Sequence, residues 1–461
     1  MRYSFIVLVC WMLMSCKVNN YINTNEITDS KERPIVFRGV NVIPMDREIV
    51  IANQDVVIEN GVIKAIGNSN NVNYNRKAYV VDARGKYLLP GLAEMHAHVP
   101  QVNDLQPMKE VLQLFLYNGI TTIRGMLGHP LHLQLRSLLR NEEITGPHFI
   151  TSGPSFNGNS VKTIETASSM VRSQKQSGYD FLKIHPGISL ENFTVLAKTA
   201  KEENISFSGH VPFEVGVWRA IDFGYATIDH LDGFVEGLVA DINNISEDQT
   251  GLFGMYISEK ADTSQIPRLM RELKEHQIWV VPTQALAERW FDPAKDPDIL
   301  NKADEMKYMN PTTRNNWLQS KKNLMSNASY KPKDITHLIQ LRRKLIYECN
   351  RNGVGLLLGC DAPQVFNVPG FSTHHELQYL VDAGLSPYEA LKTGTVNVAS
   401  FMKRSSDMGV IKPGYVSDVI LLNGNPLNDI SQSKNISGVM IGSKYLPKIY
   451  IDNELKKLEK H

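Results

Sequence analysis

Pro90-Gly91-Leu92-Ala93-Glu94-Met95-His96-Ala97-His98 is the stretch on which the fold of this chain turns. Residues 88–95 form an apolar run of strand length, closed by two histidines with one residue between them. Side chains alternate on an extended chain, so His96 and His98 project to the same side and can grip one ion. A His-x-His pair alone arises by accident in many proteins. Its weight here comes from the pattern of the remaining chain.

Downstream, short apolar runs recur at 121–124, 148–151, 181–184, 206–208, 226–228, 279–281 and 355–358, separated by amphipathic stretches of helical length. That texture is the βαβα pattern of a parallel sheet. With the run at 88–95 it predicts an α/β fold, a closed (β/α)8 TIM barrel over residues 89–406. The connection at 283–332, rich in Asn, Lys, Asp and Trp, is unusually long and reads as a lid or substrate loop. Before the barrel, residues 35–89 read as alternating strands broken by turn residues, with Asn60-Gly61 as a hairpin turn. After helices at 386–403, strands return over 409–451. The outer segments 34–88 and 407–455 are expected to pair into one small β-sandwich domain beside the barrel.

Barrel sites are built at the C-terminal ends of the strands. Metal-capable residues fall there repeatedly: His96 and His98 on the first strand, Lys183 on the fourth, His210 on the fifth, His230 on the sixth and Asp361 on the eighth. Coincidence does not readily place such a set on one rim. Arg124, ending the second strand, could bind a substrate carboxylate. His185 lies two residues beyond Lys183 and could face the pocket; His374 and His375 open the helix after the eighth strand, where helix-capping or surface roles compete with substrate orientation.

These residues carry a resemblance. The chain resembles the amidohydrolase superfamily, in its imidazolonepropionase-like and Xaa-Pro dipeptidase-like branch, over roughly residues 35–455. Pro90-Gly91-Leu92 leading into the histidine pair, Leu385-Ser386-Pro387-Tyr388-Glu389-Ala390-Leu391, Thr395-Val396-Asn397-Val398-Ala399, the closing Gly409-Val410-Ile411-Lys412-Pro413-Gly414 with Asp418, and Asn425-Pro426-Leu427 all contribute to it. The resemblance implies two divalent metal ions, zinc being expected from the His-rich set, bridged by a carboxylated Lys183. His96, His98 and Asp361 would hold one ion, and His210 and His230 the other. It implies hydrolysis of an amide or peptide-like C–N bond by a metal-bridging hydroxide, with Asp361 as general base and then acid. Many relatives carry a Gly-Gly-His segment after the third strand. This chain reads Gly153-Pro154-Ser155-Phe156-Asn157-Gly158-Asn159, so substrate contacts from that loop do not carry over. Two other readings compete: a mononuclear hydrolase of cyclic amides or deaminase, and a non-catalytic, lipid-anchored binding protein.

Composition bounds the partners. The 461 residues hold 49 Lys plus Arg against 48 Asp plus Glu, a net charge of +1 that gives no reason to expect nucleic acid. A small-molecule substrate, peptide-like or N-acyl, is the expected partner. The first residues differ in kind from the rest. Met1-Arg2, an apolar stretch from Phe5 to Leu13, and Leu13-Met14-Ser15-Cys16 followed by polar sequence resemble a bacterial lipoprotein signal. Residues 1–15 are then a signal peptide, Cys16 the lipidated residue and 16–33 a tether, placing an exported protein on the periplasmic or cell-surface side of a membrane. An ordinary secretory signal with an incidental cysteine is the alternative. Cys349 and Cys360 are too few for a disulfide framework and read as packing residues.

Overall fold

The computed structural model describes residues 26–69 and 71–460. The signal peptide, Cys16 and the first part of the tether lie outside the described residues. Strands from both ends of the chain join one nine-stranded sheet, ordered Thr28–Asp29, Lys444–Pro447, Ile436–Ile441, Val419–Leu422, Tyr87–Pro90, Ile35–Val42, Ile51–Glu59 and Val62–Asn68, with Tyr79–Asp82 added beside Ile35–Val42. Two antiparallel pairings join the N- and C-terminal segments, Val419–Leu422 with Tyr87–Pro90 and Thr28–Asp29 with Lys444–Pro447. The ladders join the two outer segments into one hydrogen-bonded sheet, and a bridge from Val62 to Val416 brings its far strand back towards the C-terminal segment.

Alternation along these strands explains how the sheet docks. Leu88, Val419, Leu421 and Met440 pack into the sheet's own core. Their neighbours Leu89, Ile420, Leu422 and Val439 point the other way, into the main core of the protein. Period-two side-chain placement lets each strand bury both faces. Burial of a Leu, Ile or Val side chain contributes roughly 1.5–3 kcal/mol, so the docked face is a substantial part of the fold's stability.

The central strands are all parallel and fall into two ladders. Leu92–Ala97, Ile120–Gly125 and His148–Thr151 form one; Leu182–Ile184, Phe207–Gly209, Thr227–Asp229 and Trp279–Val281 form the other. Single bridges link them, Ser152 to Phe181 and Phe156 to Ile184. The expected strand at 355–358 is absent as a ladder. The segment meets its neighbours only by bridges, Val280 to Leu356 and Ala97 to Ala362, with further bonds from Met95 N to Leu358 O (2.7 Å) and Asp361 N to His96 O (3.0 Å). Gly355 and Gly359 explain the irregularity. An added Cβ would stand 2.2 Å from the Trp279 ring at the first and 2.5 Å from Val281 at the second, so the chain is drawn too close for a regular pleat.

Helices follow the strands as their apolar spacing demands. In Ile266–Glu275 the buried residues are Ile266, Leu269, Met270 and Leu273, one stripe at three- and four-residue steps. The 283–332 connection is mostly helical: Gln284–Trp290, Pro297–Leu300, a 3-10 turn Asp304–Tyr308 and Pro311–Met325. Lys321, in the last of these, donates to the carbonyls of Arg289, Trp290 and Asp292 and so closes the end of the first. The chain's C-terminal stretch turns helical over Lys448–Lys457, where strand had been expected up to residue 451. Cys349 and Cys360 are both free and buried. Among the described residues no helix is long and apolar enough to cross a membrane.

Candidate metal centre

Parallel strands deliver their last residues to one rim, and that rim gathers the six sequence-selected groups. One ligand atom from each of His96, His98 and Asp361 lies within 4.8 Å of the others. His98 Nε2 stands 2.6 Å and His96 Nε2 3.6 Å from Asp361 Oδ1. Lys183 Nζ is 3.4 Å from His96 Nε2. The His230 ring lies 4.4 Å from His96 and 4.4 Å from His210, centroid to centroid. The set is therefore contiguous, with Lys183 and His96 near its middle.

Each of three imidazoles is aimed by a partner on Nδ1. His96 Nδ1 is 2.8 Å from Asp229 Oδ2, His210 Nδ1 is 2.8 Å from Asp232 Oδ2, and His230 Nδ1 is 2.8 Å from Thr283 Oγ1. With Nδ1 occupied, Nε2 is left to meet a ligand, the arrangement a metal-binding histidine requires. Burial, then the nearby cations and histidines, hold His96 and His230 well below the usual imidazole range, so both are neutral lone-pair donors at neutral pH. His98 Nε2 is the group in contact with the buried Asp361 Oδ1, and His230 Nε2 is buried without a hydrogen-bond partner. Buried polar atoms rarely remain so unless something else satisfies them. An unpartnered imidazole nitrogen near a carboxylate oxygen and two further imidazoles suits a divalent cation. The residues present fit a metal.

Lys183 is wholly buried, and desolvation pushes its amine down to about 8, against the pull of Asp229 and Asp361. Room for its stem depends on Gly209. A Cβ there would approach Lys183 Cδ to 2.9 Å and Ile184 O to 2.5 Å, at a φ of +125°. Backbone strain gathers at the same rim: His230 (φ 65°), Asp361 (φ 64°) and Thr283 (φ 47°) all adopt the left-handed region. Such conformations cost of order 1–3 kcal/mol each and persist where the surroundings enforce them.

Sequence reasoning missed the supporting residues. Glu94 is fully buried; its carboxylate accepts from His96 N (3.1 Å), Cys360 N (2.8 Å) and Thr373 Oγ1 (2.8 Å), clamping the histidine strand to the Asp361 segment. Desolvation raises its carboxyl to about 7. Arg342 spans His230 O (2.6 Å) and Pro282 O (2.7 Å), fixing the ends of the sixth and seventh strands. Phe253 lies face-on over His230 and His210, with centroids 5.2 and 6.1 Å away. Asp229 and Asp232 flank His230 in sequence, a signal that the histidines' need for acceptors could have picked out.

Three secondary candidates take other roles. Arg124 is buried, donating from Nε to Met95 O (2.7 Å) and reaching Asp229 at 3.4 Å, so it cannot meet a substrate carboxylate. His375 pairs with Glu305 of the long connection at 3.0 Å, and His374 bridges Ser433 Oγ and Asn118 O; both hold elements together. His185 does reach the site. Its ring stacks on His210 at 5.0 Å, and Nδ1 is buried without a partner.

The amidohydrolase family profile matches residues 87–446, well over half of the chain. The chain belongs to the amidohydrolase family. Within it, the ochratoxinase of Aspergillus niger is 22% identical over 490 residues, spanning 90% of this chain and 87% of the relative. A dihydroorotase of Thermoanaerobacter sp. is 35% identical over a short stretch of 77 residues, 16% of this chain and 17% of that one. Among solved structures, a bottromycin amidohydrolase superposes with a TM-score of 0.69 at 19% identity, covering 92% of this chain and 89% of its own. A Xaa-Pro dipeptidase with bound methionine in its active site gives 0.64 at 17% identity, covering 89% and 99%. At these identities the superpositions show a shared fold alone.

Proposed function

We propose that the protein is an exported, metal-dependent hydrolase of an amide or peptide-like C–N bond, dipeptidase-like in chemistry and acting on a small molecule. The observation that carries this reading is the approach of His96, His98 and Asp361 ligand atoms to within 4.8 Å, with His230 Nε2 beside them buried and lacking a hydrogen-bond partner. In this reading His96, His98 and Asp361 hold one divalent ion and His210 and His230 the other, zinc being expected. Lys183 lies beside both groups, and a largely desolvated amine near 8 keeps a neutral fraction able to capture carbon dioxide as a carbamate. Divalent metal bound there would supply an acidified water and polarisation of the scissile carbonyl.

The chain's own residues do the rest. Asp361 takes the proton of the attacking water and returns it to the leaving nitrogen. Asp229, Asp232 and Thr283 keep the imidazoles in the tautomer that presents Nε2. Phe253 shields one face of the His210–His230 pair from water. We further infer that the two parallel ladders and residues 355–362 are the staves of one closed (β/α)8 barrel over 89–406, with the terminal sheet of 34–88 and 407–455 as its companion domain. Residues 1–15 would be removed on export and a lipid on Cys16 would hold the enzyme at the membrane surface.

Metal analysis joined to a screen of dipeptides, N-acyl amino acids and simple amides tests the reading. Two ions per chain, a carbamate on Lys183 and chelator-sensitive turnover are expected. One ion with an unmodified Lys183 would move the assignment to a mononuclear mechanism. Chelator-insensitive or absent turnover across the screen would refute the hydrolase reading.

A further inference from the structure

A cavity of about 430 Å³ opens beside the metal centre. His210 and its partner Asp232 form part of its wall, so whatever fills it lies against the histidine cluster. Much of the remaining lining is apolar, including Val211, Leu252, Phe253 and Tyr256. The charged residues are all acidic. Glu236 stands within, and Glu247 and Asp248 lie exposed on the lining. A second, more open cavity adjoins it through Pro186 and Glu247, lined by His185 and the polar loop at 155–159. Among the described residues lining either cavity there is no lysine or arginine. The nearby guanidiniums are spent elsewhere: Arg124 on Asp229 and Met95 O, Arg342 on three oxygens of the 230–284 region.

Glu236 is the informative residue. Its Oε2 is closed off from solvent and has no hydrogen-bond partner. Its carboxyl is raised to about 8 by desolvation first, then by repulsion from Asp232, against the pull of Arg342. Asp232 is paired with His210, and Arg342 acts on Glu236 only through space; among the described residues no cation makes an ion pair with Glu236, Glu247 or Asp248. A carboxylate brought into the cavity would meet the acidic groups of Glu247 and Asp248 in a partly desolvated space, whereas a cation would favour the ionised form of Glu236 and pair with it.

We propose that the site takes an amide whose apolar body ends in an ammonium or guanidinium group, received by Glu236, and that it disfavours substrates ending in a carboxylate. This rests on the hydrolase reading above and narrows its substrate class away from free dipeptides and N-acyl amino acids.

The test uses the full-length, metal-loaded protein and three anilides of one shape: pentanoyl anilide, its ω-amino analogue and its ω-carboxy analogue. A matching set carries the charged end on the amine side. In at least one set the ammonium member should exceed the neutral one in kcat/KM by about tenfold or more, with the carboxylate member lowest. Glu236→Gln and Glu236→Ala should collapse the cationic-to-neutral ratio. Calorimetry on the chelator-treated protein gives a readout without turnover and needs no variant: butylammonium should bind more tightly than butyrate. Preference for the carboxylate member, equal binding of the two ions, or an ammonium preference that survives in folded Glu236 variants would overturn the proposal. Absence of turnover with butylammonium still bound would sink the hydrolase reading alone. Turnover of both sets without ammonium preference would sink this inference alone.

Discussion

Replacing Asp229 by Asn should weaken metal binding and the fold together, by separable amounts. The carboxylate does three things: it accepts from His96 Nδ1 at 2.8 Å, takes the Thr227 hydroxyl at 2.6 Å, and stands 3.4 Å from the buried Arg124 guanidinium. An amide keeps the shape and loses the charge. Replacing the carboxylate behind a metal-binding histidine by a weaker, neutral acceptor typically lowers metal affinity 10–100-fold, which is about 1.4–2.7 kcal/mol. Arg124 is then left in the interior without its counter-ion, and breaking a buried pair costs about 3–5 kcal/mol. At 3.4 Å the contact is loose and Met95 O still accepts from Arg124, so the lower end, about 3 kcal/mol, is expected. Zinc affinity by competition with a chromogenic chelator measures the first effect, and urea unfolding of the metal-free protein the second. Adding Arg124→Met should recover most of the unfolding loss and none of the zinc loss. A folded Asp229→Asn protein with zinc affinity within twofold of wild type would refute the claim that Asp229 aims His96.

The same geometry sets further outcomes. Asp361→Asn should lower kcat by about 10²–10⁴-fold with the thermal unfolding profile of the apo-protein little changed. Glu94→Ala should destabilise the protein by about 3 kcal/mol or more in denaturant titration, because it strands the amides of His96 and Cys360 and the Thr373 hydroxyl. Lys183 carries a pH signature. Its folded pKa, about 8, lies below the ordinary 10.5, so the unfolded chain binds the extra proton between those values and stability rises with pH across that window. Comparing metal-free wild type with Lys183→Met should expose a difference that shrinks by on the order of 3 kcal/mol from pH 8 to 10.5; parallel curves would mean the lysine is not desolvated. His375→Ala should leave turnover within about threefold, since its ring is held by Glu305 rather than facing the centre.

What was legible in the chain was whatever depends on period and position along it. Strands at His148–Thr151 and Trp279–Val281 sit where the apolar runs place them, because a buried parallel strand reads as a short unbroken hydrophobic run. Six chemistry-bearing residues were found by the rule that strand ends share a rim. The irregular eighth segment escaped, since Gly355-Leu356-Leu357-Leu358-Gly359 looks like a strand until Trp279 and Val281 press against its glycines.

The role of a polar side chain was less accessible. Arg124 and His185 occupy equivalent-looking strand ends, yet one is locked beneath the centre by Asp229 and the other stacks on His210. Which of these occurs depends on partners more than 20 residues away, and no local pattern encodes that distance. Hydrophobic periodicity is a local property, so it could be read along the chain, as could the ligand types. Hydrogen-bond partners, the clamp made by Glu94 and the acidic lining around Glu236 arise only when distant segments are packed together. Those the fold alone decided.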